Sequence, residues 1–150
     1  RANAGKTALF NRLTGSRQKV ANYAGVTVER KEGRLALPSG RQVRVLDLPG
    51  AYSLAAASPD EVVTRDIVRG RFPGEAIPDV LVCVVDATNL RLHLRFVLEV
   101  RALGRPMVVA LNLMDAAQRR GIRIDIARLS AELGLPVIET VAIRRGGTAA

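Results

Sequence analysis

Residues 1–15, RANAGKTALFNRLTG, set Gly5-Lys6-Thr7 directly in front of an apolar helix start. Glycine, lysine and a hydroxyl residue in that order form the second half of a phosphate-binding loop. Backbone N–H groups and the helix N-terminus face the anion, Lys6 neutralises β- and γ-phosphate oxygens, and the Thr7 hydroxyl ligates magnesium. The full pattern, G-x-x-x-x-G-K-[ST], needs a glycine five residues before Gly5, one position ahead of Arg1. The tripeptide alone is a weak signal, so the remainder of the chain has to decide.

Three short apolar runs follow: VRVLDLPG at 43–50, DVLVCVVDA at 79–87 and RPMVVALNL at 105–113. Their length and β-branched content predict buried strands. VERKEGRLAL is expected to pair with RQVRVLDL across Pro38-Ser39-Gly40 as an antiparallel edge hairpin. Helical patterns lie between the runs. Ser58-Pro59-Asp60-Glu61 is a capping box with proline at the first helical position, opening a helix that reaches about Gly70. Residues 91–103 place Leu92, Phe96, Val100 and Leu103 on one face, and Asp125 caps IARLSAEL, which Gly134 stops. LPVIETVAI supplies a last short strand. Strands alternating with helices imply an α/β fold: a mostly parallel sheet with one antiparallel edge strand and helices on both faces, binding ligands at the carboxyl ends of its strands.

Two further motifs sit at such ends. Asp47 closes an apolar strand with Gly50 three residues on, which offers a carboxylate to a magnesium shell and a flexible backbone N–H to a γ-phosphate. Asn112 and Asp115 follow the 105–113 run; a carboxylate there accepts hydrogen bonds from guanine N1 and its 2-amino group, and Asn112 either braces the loop or touches the purine edge. Each motif alone has a bland reading as a turn or loop. All of them in the right order, each at the correct strand end, point to one site.

Composition agrees with that class. Of 150 residues 48% are hydrophobic but only 3% aromatic, with no tryptophan, so the core is expected from Val, Leu, Ile and Ala. The net charge of +9 comes from 20 Arg and 3 Lys spread along the chain with no run longer than two, which favours a solvated basic surface over a polyanion footprint. Cys83 is the single cysteine and is read as a small buried residue, so a disulfide framework is excluded. His93, the single histidine, is read as a surface or half-buried helix residue. With no apolar stretch of the roughly 18 residues a span needs and no signal peptide, a soluble, cytosolic piece is expected.

With these motifs in place the sequence resembles translation-factor-type GTPases, and more closely the N-terminal G domain of the bacterial ferrous-iron transporter family, FeoB. NAGKTALFNRLTG, QKVANYAGVTVERKEG, LDLPGAYSL, SPDEVVTRD, VVDATNLRLHL and NLMD carry the likeness, which covers essentially all 150 residues. It implies a Ras-like P-loop fold over 1–150 as a single G domain, incomplete at its start because the family's first strand would precede Arg1. The implied nucleotide contacts are Asn3, Ala4, Gly5, Lys6, Thr7, Ala8, Asp47, Gly50, Asn112, Leu113 and Asp115, with Thr140, Val141 and Ala142 forming the guanine-edge loop. Thr7, Thr27 and Asp47 would order magnesium. Asn3, with the backbone carbonyls of Ala21 and Tyr23, would hold an activating potassium ion. Lys6, Thr27, Asn3 and Gly50 would carry catalysis, through slow, potassium-activated hydrolysis of GTP to GDP and phosphate.

Ala51 stands where Ras-like enzymes carry a water-orienting glutamine; Asp60 and Glu61 are candidates only by proximity, and a capping role fits them better. Leu113 replaces the lysine of many GTPases, which predicts modest affinity and fast exchange. Implied partners are guanine nucleotide and, in the parent chain, a transmembrane iron-permeation domain and a helical regulatory segment, on the cytoplasmic side of a bacterial inner membrane. Homo-oligomerisation stays open and no nucleic-acid partner is expected. The alternatives are a ribosome- or RNA-associated GTPase of the same superfamily, or a hydrolysis-deficient nucleotide-binding fragment.

Overall fold

The computed structural model describes residues 5–51 and 53–140. Its elements run α1 (Lys6–Thr14), β1 (Gln18–Asn22), β2 (Glu29–Ala36), β3 (Gln42–Asp47), α2 (Pro59–Val68), β4 (Leu81–Asp86), α3 (Leu90–Arg101), β5 (Met107–Asn112), α4 (Met114–Arg119), α5 (Ile126–Leu133) and β6 (Val137–Glu139). Strands β1, β2 and β3 form an antiparallel ladder in that order, and β4, β5 and β6 a parallel one. The α/β class is as expected, with strands, crossover helices and the predicted hairpin in place. Leu37 and Gly40 close that hairpin: the Gly40 N–H donates to the Leu37 carbonyl (2.8 Å) and Gly40 takes φ +87°, a conformation glycine adopts without strain.

The antiparallel part is larger than the expected edge hairpin, because residues 18–22 add a third strand. QKVAN holds one β-branched residue among polar ones, and Val20 is exposed, so no alternation marks it as a strand.

Local signals set the helix ends. Ser58 Oγ accepts the Glu61 N–H (3.2 Å), while Glu61 Oε1 takes the Ala57 N–H (3.0 Å), one residue earlier than an ideal capping box. Asp125 Oδ1 accepts the Arg128 N–H (3.1 Å), and Gly134 ends α5 at φ +68°.

Two apolar clusters hold the molecule. The larger packs β4, β5, α3, α4 and α5 around Val85, Val97, Val100, Val109 and Leu111. The smaller joins Tyr23, Val28, Val63 and Ile67, and Leu48 touches both. Aliphatic residues do fill the larger cluster, whereas Tyr23 and Phe72 organise the smaller.

Three burial expectations need correction. The run at 79–87 is not buried on both faces: Val82 is 56% exposed, because β4 is the end strand of its ladder among the described residues. Cys83 is half-buried, with its thiol pushed up to about 11 by burial. On α3 the inward face is His93, Val97 and Val100, while Leu92 is 42% exposed. Counting the imidazole as polar displaces the predicted stripe by one position; a neutral imidazole packs inward as an apolar ring does.

Burial holds the His93 pKa below its ordinary value, opposed by the charge of Asp86. The unfolded imidazole titrates near about 6.5 and the folded one lower, so the unfolded state binds more protons below that value. The stability contributed by neutral His93 is therefore present above pH ~6.5 and lost as pH falls. Melting curves from pH 7.5 to 5 are expected to show a decline that flattens in His93→Leu; parallel declines in both proteins would refute it. No helix of the described residues is long and apolar enough to cross a membrane.

Candidate functional site

The N-cap of helix α1 is Gly5, in the left-handed conformation (φ +87°), which has no side chain to cap the first turn. Those uncapped N–H groups make an anion-binding end. The helix is seated by Gly33 on β2: a Cβ there would lie 2.3 Å from Thr14 Cγ2. Thr14 in turn donates its hydroxyl to the Phe10 carbonyl (2.8 Å). The glycine of VERKEG thus lets the C-terminal end of α1 settle on β2, and the helix runs from there back to Lys6 beside the end of β3.

There the Lys6 ammonium donates to Asp47 Oδ1, joining residues 41 apart in sequence. The Asp47 side chain is only 7% exposed. Around this pair lies a cleft of about 200 Å³ lined by Lys6, Thr7, Asp47, Val28, Glu29, Lys31, Leu48, Pro49 and Asp60. A larger cavity of about 390 Å³, between α4 and residues 121–124, involves none of these groups.

Two tethers hold the segment that follows β3. Thr64 on α2 donates its hydroxyl to the Pro49 carbonyl (2.6 Å), holding the segment that leads to Gly50. Glu99 on α3 accepts the Leu54 N–H (2.8 Å) and the Ser53 hydroxyl (3.2 Å) just beyond it. Neither tether is marked by a motif; they follow only from the packing of α2 and α3.

At the end of β5, Asn112 Oδ1 accepts the Thr140 hydroxyl (2.8 Å). Its Nδ2 occupies the space a Gly5 Cβ would need, at 1.8 Å. Asn112 thus packs against Gly5 while it is bonded to Thr140. Gly5→Ala is accordingly expected to lower stability by about 1–3 kcal/mol, from positive φ plus a forced shift of Asn112. A melting temperature unchanged from wild type would refute that reading. Leu113 follows with φ +65°, a conformation uncommon for a branched side chain. Asp115, in the first turn of α4, is 63% exposed and lies 3.6 Å from Arg119. The Ala116 N–H, and then Arg119, hold its carboxyl below the ordinary range, so it is an ionised acceptor facing solvent.

Thr27 and Ala21 are exposed and do not line the cleft, whose border on that side is Val28 and Glu29. Gly50 is half-buried outside the lining, and Ala8 points to solvent on α1. The Tyr23 carbonyl accepts the Val26 N–H (3.2 Å), and the Tyr23 N–H donates to Val28 (2.9 Å), so the turn carrying Thr27 is closed on itself. The Tyr23 ring is buried edge-on to Phe72, with the Arg30 guanidinium 6.0 Å from its centroid. Arg30 is forked onto Glu75 (2.8 and 3.1 Å). Asp60 faces the cleft while Glu61 serves the helix start. Asn3, Ala4, Val141 and Ala142 lie outside the described residues.

The family described as ferrous iron transport protein B matches residues 1–150. The chain belongs to that family. It is 49% identical over 146 residues to the Fe(2+) transporter FeoB of Escherichia coli (strain K12), covering 97% of this chain and 18% of the relative, and 47% identical over the same length to that of Salmonella typhimurium. The chain thus spans about a fifth of the length of these curated FeoB relatives. Among solved structures, the cytosolic domain of L. pneumophila FeoB aligns with TM-score 0.83 at 44% identity, over 91% of this chain and 52% of that one. The G domain of T. maritima FeoB aligns with TM-score 0.79 at 39% identity, over 91% and 80%. The T. maritima cytosolic domain has been solved in GMPPNP and GDP forms, each 40% identical to this chain. At these identities the ladders and helices described above are those of a FeoB G domain, a P-loop GTPase fold.

Proposed function

We propose that this chain binds and hydrolyses GTP as the cytoplasmic regulatory domain of a ferrous-iron transporter in a bacterial inner membrane. The observation that carries this reading is the meeting of Lys6, Thr7 and Asp47 in one cleft at the uncapped start of α1. Lys6 and the first-turn N–H groups hold the phosphates. The Thr64 tether holds Pro49 beside Gly50, whose N–H would serve the terminal phosphate, Asn112 would keep the loop closed, and Asp115 would read guanine beneath the apolar cover of Leu113.

Magnesium fits the donor set, since the Thr7 hydroxyl and the Asp47 carboxylate are hard oxygen ligands in the same cleft; Thr27, outside the lining here, would join them only if its turn moved in. When bound, the ion would offset phosphate charge during transfer. By the family resemblance Asn3 and the Ala21 and Tyr23 carbonyls would hold potassium as the activating cation, which would offset transition-state charge as an arginine finger does. The transmembrane iron-permeation domain and the helical segment of the parent chain are the proposed partners. Membership of the transporter family disfavours the RNA-associated alternative.

Single-turnover GTP hydrolysis by the full-length protein, with magnesium in potassium against sodium chloride, tests the reading. Acceleration by potassium that disappears in Asn3→Ala is expected. Equal rates in both salts would remove the cation site, and failure to hydrolyse GTP in either would remove the proposed activity.

A further inference from the structure

We infer that Lys31 is a second phosphate-facing cation, carried by strand β2 rather than by the phosphate loop, that discriminates the terminal phosphate of GTP. The inference rests on the nucleotide-binding reading above and adds a residue to it. In the β2·β3 ladder Lys31 is directly opposite Asp47, so the two side chains share a face. Gly33 lies on the same face of β2, and it is there that Thr14 of α1 rests, so this face looks toward the helix whose start holds Lys6 and Thr7. Lys31 accordingly lines the same cleft as those residues.

The charge on Lys31 is lightly committed. Its ion pair with Glu29 spans 3.6 Å, to a side chain 60% exposed, a contact that water and salt screen. Lys6, by contrast, is bonded to the nearly buried Asp47. With magnesium and a triphosphate bound, Asp47 would turn to the metal and Lys6 to phosphate oxygens, so neither would remain committed to the other. Lys31, opposite Asp47 in the ladder and in the same lining as Lys6 and Thr7, then remains on the β2 wall as the lightly committed cation available to a terminal phosphate.

Residue type supports this placement. The chain carries 20 Arg but only 3 Lys, and two of the three, Lys6 and Lys31, line this one cleft. An arginine at position 31 would fork onto the Asp47 carboxylate across the ladder and hold it, whereas a lysine offers a compact charge on a flexible stem that leaves Asp47 free for the metal.

The test is equilibrium titration of the full-length protein with GDP and with a non-hydrolysable GTP analogue, both with magnesium, at low and moderate salt. Lys31→Gln is compared with Lys19→Gln, which removes the same charge from the opposite face of the sheet, since Lys19 pairs with Glu32 rather than with residue 31. The expected result for Lys31→Gln is about tenfold weaker binding of the GTP analogue, with GDP changed less than about twofold and a shallower salt dependence for the analogue. Lys19→Gln should leave both affinities near wild type, and nucleotide-free melting temperatures should match. Equal weakening of both nucleotides, no weakening of either, or the same loss in Lys19→Gln would overturn the inference. Wild-type protein that binds neither nucleotide would instead defeat the functional reading itself, and the role of Lys31 with it.

Discussion

Replacing Lys6 by alanine is expected to weaken GTP and GDP binding by about a hundredfold, roughly 3 kcal/mol, because a charged hydrogen-bonding partner of the phosphates is lost from a partly desolvated cleft. The substitution has a second effect that the structure makes separable. In the nucleotide-free protein Lys6 is the partner of Asp47, whose side chain is 7% exposed, and removing the ammonium strands a nearly buried carboxylate. That costs about 1–3 kcal/mol of stability. Lys6→Ala should therefore melt earlier than wild type, and the double change Lys6→Ala with Asp47→Asn should regain much of that loss while nucleotide binding stays weak. Nucleotide titrations of Lys6→Ala that match wild type would end the phosphate-loop assignment.

Asp115→Asn is the second large effect. An ionised carboxylate accepts from both guanine N1–H and the 2-amino group; an amide presents one acceptor and one donor, which suits the carbonyl that xanthine carries in place of that amino group. GTP affinity should fall by about a hundredfold and XTP become the preferred ligand. Asp115 is ready for this role, since the Ala116 N–H and Arg119 keep it charged well into the acid range and it lies open to solvent. Competition titrations of GTP against XTP decide it. Retained preference for GTP in the variant would show that guanine is read elsewhere, with Thr140 and the residues after it the next place to look.

These two residues were legible for different reasons than the groups that hold them. Lys6, Asp47 and Asp115 sit in short motifs at the ends of apolar runs, and motif order survives without knowledge of packing. Thr64 and Lys31 lie in stretches that carry the family likeness, yet neither they nor Glu99 has a residue type or spacing that assigns it a role. Thr64 reads as an ordinary helix residue until α2 is laid beside Pro49 and its hydroxyl meets that carbonyl at 2.6 Å. Lys31 becomes a cleft residue only once the strand register sets it opposite Asp47. His93 shows the reverse failure, since a polar letter in a helical stripe concealed a buried ring.

What the sequence by itself determined was local: the Ser58 and Asp125 helix starts, the Pro38-Ser39-Gly40 turn, the apolar runs that became β3, β4 and β5, and the order of the phosphate, metal and base motifs. Each depends on neighbours within about four residues, through caps, turn conformations and side-chain period. Only the tertiary structure decided that Lys6 meets Asp47 across 41 residues, that Asn112 fills the space beside Gly5, that β1 exists, and that Lys31 faces the cleft. Those contacts are set by strand register and by how closely α1 settles on Gly33. Such distances are fixed when the whole chain packs, because a shift of one residue along a strand turns every side chain to the opposite face.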